Sequence, residues 1–420
     1  MSDTDLTRRR LLCAGASLGG LGTAGCLRLT SDSTDATRDE EEPTTNSTRD
    51  EGAPSASDDT QTVETTEEST QQQVVELSLS QQWKPALGGD VAKSTAESFF
   101  LIESDEDGCR VDRVDTNGKS LFTVTAGGLN YMEQEQLAIG DSQLYFGGYD
   151  EAEGESSVST GRLYCCSTTD PGETPKWEMT VDGEVIFVDA APNLCVVGTN
   201  SYDVHYEGEN QGRVYGVDPT DGTVMWQNET FDAAFIEGVE RVDEGVVVGT
   251  SNRVILLDPD TGDEMAELSE SGVFGGGMTL SDGVLYTSDR SDRAISVESG
   301  ETLWETTELP ETVDRTDCLV ARDHDQVVFG TRTGRVVSLD SETGALRWKQ
   351  TMPAKVTTPP KRWRGFAVVV DDSKAVRAFD LNNEGAAVES ASTKPTPFCF
   401  VGDTAFFGGL DNTGYTVGVE

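Results

Sequence analysis

The chain has 420 residues and a net charge of −45, with 76 acidic side chains against 31 basic ones and only 2 histidines. The length is enough for a sizeable core in one large domain, and a surface this acidic repels nucleic acid and anionic headgroups, so neither is an expected ligand. Arg outnumbers Lys and the acids run along the whole chain, a balance suited to concentrated salt, where self-repulsion is screened over a few ångströms.

In chain order, Thr7-Arg8-Arg9-Arg10-Leu11-Leu12 resembles a twin-arginine export motif, with Arg8 and Arg9 as its pair. A Gly/Ala-rich apolar run follows to about Gly25, short and glycine-rich for a membrane span. It ends in Thr23-Ala24-Gly25-Cys26, which resembles a lipobox. The expectation is a signal peptide over 1–26, cleavage before Cys26 and a lipid on its sulfur. That anchors the chain at the outer face of the cytoplasmic membrane, on the cell surface. Residues 27–73 have no Phe, Tyr or Trp and are dominated by Ser, Thr, Asp and Glu. They cannot bury enough apolar surface to offset chain entropy and are expected to form a disordered tether. Asn46-Ser47-Thr48 meets the pattern of a glycosylation acceptor.

From about Val74 the pattern turns to short strands. Val74 to Leu87, with Trp83, is a strand without a hairpin partner of its own. Phe99–Ile102, Val111–Asp115, the Asn117-Gly118 turn and Leu121-Phe122 follow. Next come Gln143–Phe146, an acidic insertion to Thr160, then Gly161–Tyr164 and Trp177. From there a unit repeats. Gly212 to Trp226 reads GRVYGVDPTDGTVMW, and Gly334 to Trp348 reads GRVVSLDSETGALRW. Asn252 to Ala266 keeps the register with alanine at the Trp position. Arg293 to Trp304 reads as a weaker copy with its turn shortened by two residues.

Each unit has a physical reading. A Val/Leu-rich stretch suits a strand. The Asp that follows bonds backbone N–H groups of a turn, and the Gly takes positive φ there at little cost. The chain then returns as a second strand. Upstream lie two more strands, such as Gly245–Thr250 and Gln326–Thr331. Four short antiparallel strands in about 40 residues are the arithmetic of a propeller blade. After Phe366–Val370, Ala375–Asp380 and Ala386–Val388, the tail supplies three strands: Phe398–Val401, Thr404–Gly408 and Tyr415–Val419. The surplus strand at the start matches the missing one at the end. The expected fold over 74–420 is therefore all-β, an eight-bladed β-propeller of four-stranded antiparallel blades, closed by pairing of N- and C-terminal strands.

These repeats resemble those of the pyrroloquinoline-quinone (PQQ)-type propellers, which include quinoprotein alcohol dehydrogenases and BamB-like envelope lipoproteins. The resemblance covers about Val74 to Glu420 and specifies fold better than activity. Trp177, Trp226, Trp304 and Trp348 recur at blade period and are expected to pack between blades. The quinoproteins set a vicinal disulfide against the quinone; here Cys165-Cys166 falls on a third strand, away from the axis, and no set of Glu, Asn and Asp positions matches their calcium site. The other cysteines, His205 and His324 show no metal-type spacing, and turns such as Asp258–Asp263 lack the later ligands of a calcium loop. Lys355, Lys361, Arg362, Trp363 and Arg364 form a segment free of acids. It reads either as a docking patch for an anionic partner or as neutralisation of acids within the protein.

The expected function is that of a non-catalytic binding or scaffold module with no cofactor. Its expected partners are the membrane, through Cys26, and a protein at a propeller face. The alternatives are a quinoprotein-like oxidoreductase using PQQ and Ca, and a small-molecule or sugar-binding receptor.

Overall fold

The structure, a computed structural model, describes residues 77–83 and 91–419 with interruptions, the longer ones at 151–159, 170–174, 202–210, 307–318, 389–397 and 408–412. Arg8, Arg9, Cys26, Asn46, the 1–26 and 27–73 segments, His205 and Cys318 lie outside the described residues.

Among the described residues the chain forms eight four-stranded antiparallel sheets. The first holds Val91–Ser94, Ser98–Asp105, Gly108–Asp115 and Ser120–Ala126. The second holds Leu137–Ile139, Gln143–Asp150, Thr160–Ser167 and Trp177–Asp182. The third runs from Glu184–Ala191 through Leu194–Ser201 and Gln211–Val217 to Val224–Asn228. The fourth runs from Ile236–Val242 through Gly245–Thr250 and Val254–Leu257 to Glu264–Ser269. Met278–Ser281, Val284–Ser288, Asp292–Ser296 and Thr302–Thr306 make the fifth. Leu319–Ala321, Gln326–Gly330, Arg335–Asp340 and Leu346–Thr351 make the sixth. The seventh is Lys361–Trp363, Phe366–Val370, Val376–Asp380 and Ala386–Val388.

The eighth sheet joins the two ends of this region. Phe398–Val401, Thr404–Phe407 and Thr413–Val419 lie side by side, and Leu77–Trp83 adds on the far edge. Leu77 faces Val419, Leu79 faces Val417 and Gln81 faces Tyr415 in antiparallel register.

Burial follows position in the sheet. In Gly245–Thr250 and Val254–Leu257 every residue is buried. Strands covered on both faces read as continuous apolar runs, as these do. Fourth strands alternate instead: in Val224–Asn228 only Trp226 and Asn228 are buried. First strands meet first strands. Leu137–Ile139 packs on Glu184–Ala191, which packs on Ile236–Val242. Met278–Ser281 packs on Leu319–Ala321, that on Lys361–Trp363 and that on Phe398–Val401, which packs on Val91–Ser94 of the first sheet; Gly238 lies against the Met278 side chain.

The third-to-fourth-strand hairpin is the repeated element. Asp258 Oδ1 accepts the Asp260 and Thr261 N–H groups at 2.9 Å each, and Gly262 closes the turn at φ 73°. The sequence reading shortened the corresponding turn before Trp304; the structure does not. Ser296 N donates to Glu301 O and Gly300 N to Ser296 O, the same pairs as Asp258 to Asp263 and Gly262 to Asp258. Ser296 takes the place of the turn aspartate, which hides the match. In five of these hairpins the ladder slips by one residue after the turn. Gly216 faces Trp226 and Val217 faces Val224, so Met225 is extruded. The same bulge extrudes Met265, Leu303 and Arg347, and Leu121 in the first sheet.

Candidate functional site

Charged side chains gather where the first strands meet. Lys93 stands on Val91–Ser94, Asp189 on Glu184–Ala191, Glu240 on Ile236–Val242 and Lys361 on Lys361–Trp363. Glu135 adds from the 3-10 turn Gln134–Gln136. Lys93 Nζ donates to the Leu137 carbonyl, tying the first sheet to the second. Asp189 Oδ2 accepts the Arg241 N–H at 2.8 Å, tying the third to the fourth. Glu240 accepts the Leu280 N–H, tying the fourth to the fifth.

Burial pushes the Glu240 carboxyl up to about 7, and Asp189 pushes the same way. Leu280 N–H and Lys93 pull against them. Burial also lowers the Lys93 ammonium, while Asp189, Glu135 and Glu240 hold its proton on. The set is thus a partly charged cluster in which one carboxyl titrates near neutrality. Sequence reading missed all of it except Lys361. The available signal was a charge between apolar neighbours on a first strand, as in Val188-Asp189-Ala190.

The basic segment is divided by the strand it occupies. Trp363 is buried, stacked at 5.9 Å on Phe366 and 6.3 Å on Phe400. It belongs to the core between the seventh and eighth sheets and leaves the exposed patch, because strand alternation turns it inward while Arg362 faces out. Arg364 sits in the turn at φ 52°, its guanidinium 4.9 Å over the Trp363 ring and 2.8 Å from Asp403. Arg362 Nε donates to the Arg364 carbonyl at 3.1 Å. Lys355 is exposed and its carbonyl accepts the Asp372 N–H at 2.9 Å. Lys361 turns toward Lys93 and Cys399. The exposed remainder is Lys355, Arg362 and Arg364.

The four repeat tryptophans lie on the next sheet's turn. A Cβ added to Gly222, Gly262, Gly344 or Gly385 would fall 2.7, 2.4, 2.5 or 2.4 Å from the indoles of Trp177, Trp226, Trp304 and Trp348 respectively. The indole N–H of Trp177, Trp226 and Trp304 donates to the carbonyl one residue after the turn's first residue: Pro219, Pro259 and Ser341, at 3.0, 2.8 and 2.9 Å. Trp348 reaches its counterpart through a relay. Its N–H donates to Gln326 Oε1 at 2.8 Å, and Gln326 Nε2 donates to Leu381 O at 2.6 Å. Trp83, on the N-terminal strand of the eighth sheet, makes the same contact with the first sheet. It covers Gly118 and donates to Thr116 O at 2.8 Å.

Cys165 faces Trp177 across the hairpin, the place Gly216 holds opposite Trp226. Cys166, its neighbour on the strand, enters the core on the opposite side. Both thiols are free, and burial pushes them up to about 12 and about 11. These residues do not fit a PQQ site. Two sulfurs on opposite faces of a strand cannot present a disulfide to a ring. Among the described residues no group of three or more His, Cys, Asp or Glu is placed to hold a metal.

The sheet order and repeat contacts define a PQQ-like β-propeller class of protein. The family model for outer membrane protein assembly factor BamB matches residues 111–271 and 210–408, and the chain belongs to that family. Among solved structures, BamB from Moraxella catarrhalis aligns with a TM-score of 0.59 at 17% identity, covering 81% of this chain and 99% of that one. Saccharomyces cerevisiae Sqt1 aligns at 0.60 with 10% identity, covering 82% and 99%. The computationally designed Ika8 protein aligns at 0.59 with 13% identity, covering 80% and 99%. A curated relative, quinohemoprotein alcohol dehydrogenase ADH IIB of Pseudomonas putida, is 37% identical over 102 residues, 21% of this chain and 15% of the enzyme.

Proposed function

We propose that the chain is an exported, lipid-anchored cell-surface propeller acting as a non-catalytic binding or scaffold module. Its eight sheets are eight blades of one ring, closed where Leu77–Trp83 pairs with Thr413–Val419. One observation carries this reading: Trp83 on Gly118 repeats, between last and first sheets, the contact that Trp226 makes with Gly262 between neighbours. A ring fastened by this contact at five of its eight junctions is a rigid disc with loop-bearing faces, suited to holding partners in place. The family description, an outer-membrane assembly factor, supports a role in bringing envelope proteins together. The twin-arginine-like start and the Cys26 motif support a site of action outside the cytoplasm.

The test has two arms. Membranes from cells expressing wild type or Cys26→Ser are separated from the medium, and the chain's partner is captured from the surface in molar salt. The reading expects retention in membranes only with Cys26, and a protein partner that the propeller holds. A chain released equally in both cases contradicts the anchoring. The quinoprotein reading draws on the short match to the Pseudomonas putida enzyme. Adding PQQ and Ca²⁺ and finding a bound quinone spectrum with substrate-dependent reduction contradicts the non-catalytic role.

A further inference from the structure

Three sheets lack the indole: Phe122 stands at its register position in the first and Val388 in the seventh, and the fourth is the one whose facing turn glycine is described and uncovered. In the fourth sheet Ala266 holds the tryptophan position and faces Leu256. The tryptophans face smaller residues there: Cys165, Gly216, Ala294 and Ser338. Leu256 is buried in the core the fourth and fifth sheets share, with Ile295 and Val297 and with Ala266 packed against them. The turn glycine beyond them is uncovered. Gly300, the turn glycine of the fifth sheet, has φ 69° and no atom within 4 Å of an added Cβ. Its turn has the same hydrogen-bonded frame as the others. The Val297 carbonyl stands one residue after the turn's first residue, where Pro219, Pro259 and Ser341 each accept an indole N–H.

Two exposed apolar side chains stand on the fourth strands of these two sheets. Met265 is 55% exposed and Leu303 is 52% exposed, and both are bulge residues pushed outward by the register slip. At the same bulge in the sixth sheet, Arg347 folds back to Asp340 at 2.7 Å instead. The two turns carry the exposed acids Asp260, Asp263, Glu298 and Glu301, and Glu264 follows on the fourth strand. The nearby cations are engaged, Arg253 with Glu264 and Glu267, and Arg293 with Glu305.

We propose that this notch between the fourth and fifth sheets docks an aromatic side chain, tryptophan foremost, from a basic protein partner. The incoming ring takes the place the chain's own indole holds at other sheet junctions. Its face covers Gly300, Met265 and Leu303 close over its edges, and Lys or Arg beside it on the partner meet the acidic border. Aromatic anchors in small apolar pockets with a polar rim are the usual centres of protein interfaces. The proposal deepens the binding-module reading and rests on it; a partner captured on another face sinks the notch and leaves that reading standing.

The probe is a short peptide with one 5-fluorotryptophan between arginines, titrated against the full chain in molar salt and followed by the ¹⁹F line. Wild type is expected to broaden and shift that line saturably. Two variants should weaken binding at least tenfold: Leu256→Ala with Ala266→Trp, which rebuilds the missing indole, and Met265→Gln with Leu303→Gln, which leaves the core untouched. The second pair keeps the test open if the first does not fold. A line unaffected by wild type at millimolar peptide overturns the proposal, as does equal binding by wild type and the folded variants.

Discussion

The indole of Trp226 lies flat over Gly262 of the next sheet, with its N–H on the Pro259 carbonyl at 2.8 Å. Asn228, two residues on, adds a bond from Nδ2 to the Gly262 carbonyl at 2.7 Å. One glycine therefore meets two demands, a left-handed turn and the absence of any side chain beneath an aromatic ring. Gly262→Ala should cost about 2 kcal/mol or more, from strain at positive φ and displacement of the ring. Trp226→Ala and Trp348→Ala should each cost about 3–5 kcal/mol, as for other buried aromatics. The Trp226 and Gly262 changes together should cost less than their sum, since both break one contact. Denaturant unfolding in molar salt measures all of these; a Trp348→Ala protein as stable as wild type removes the packing role.

Glu240 makes stability depend on pH. Its folded pKa of about 7 lies above the value near 4.3 of an unfolded glutamate. Between those values the folded state keeps a proton that the unfolded chain has released. Stability therefore falls as pH rises through this window and levels off above it. Glu240→Gln should remove that fall and gain up to about 3 kcal/mol over wild type above pH 7. Unfolding measured from pH 4.5 to 8 checks the slope; parallel curves for both proteins contradict the assignment.

How much of this was legible follows from how local each cause is. The hairpin unit could be read residue by residue, because its Asp, Gly and Trp each act within one turn or on the adjacent one. Val-rich runs such as Gly245–Thr250 could be read as strands buried on both faces. The Lys93, Asp189 and Glu240 cluster could not, because its members sit on separate strands and meet only through the order of the sheets. Trp363 misled for a related reason: its sequence neighbours are basic, but Arg362 faces out on the strand and Arg364 caps the indole from the turn, while the ring itself packs into the core. The Ser296 turn was misread because a serine does the aspartate's work.

The exposed arginines test the two readings of the basic segment. Arg364 pairs with Asp403 in solvent and lies over Trp363. Arg362→Glu with Arg364→Glu should cost about 1–2 kcal/mol, the worth of an exposed pair and a cation–π contact. Thermal unfolding reads that cost. A fold that survives while partner binding at this face disappears supports docking; unfolding by the double variant supports neutralisation within the protein.

Salt should matter more than for an ordinary domain. With a net charge of −45, lowering ionic strength lengthens the range of self-repulsion from about 3 Å at 1 M to about 10 Å at 0.1 M. The melting temperature should rise steadily from dilute buffer to molar KCl. A melting temperature independent of salt contradicts the high-salt reading of the composition.

The closure of the ring by its two ends is tested most directly by cross-linking Gln81 to Tyr415, which face one another between Leu77–Trp83 and Thr413–Val419. In Gln81→Cys with Tyr415→Cys, mild oxidation should give an intramolecular disulfide in the folded monomer, found by mass spectrometry of the digest, while Gln81→Cys with Val419→Cys, out of register, should give little. Failure of the in-register pair to form in folded protein, or equal yields from both pairs, contradicts the closure on which the account stands.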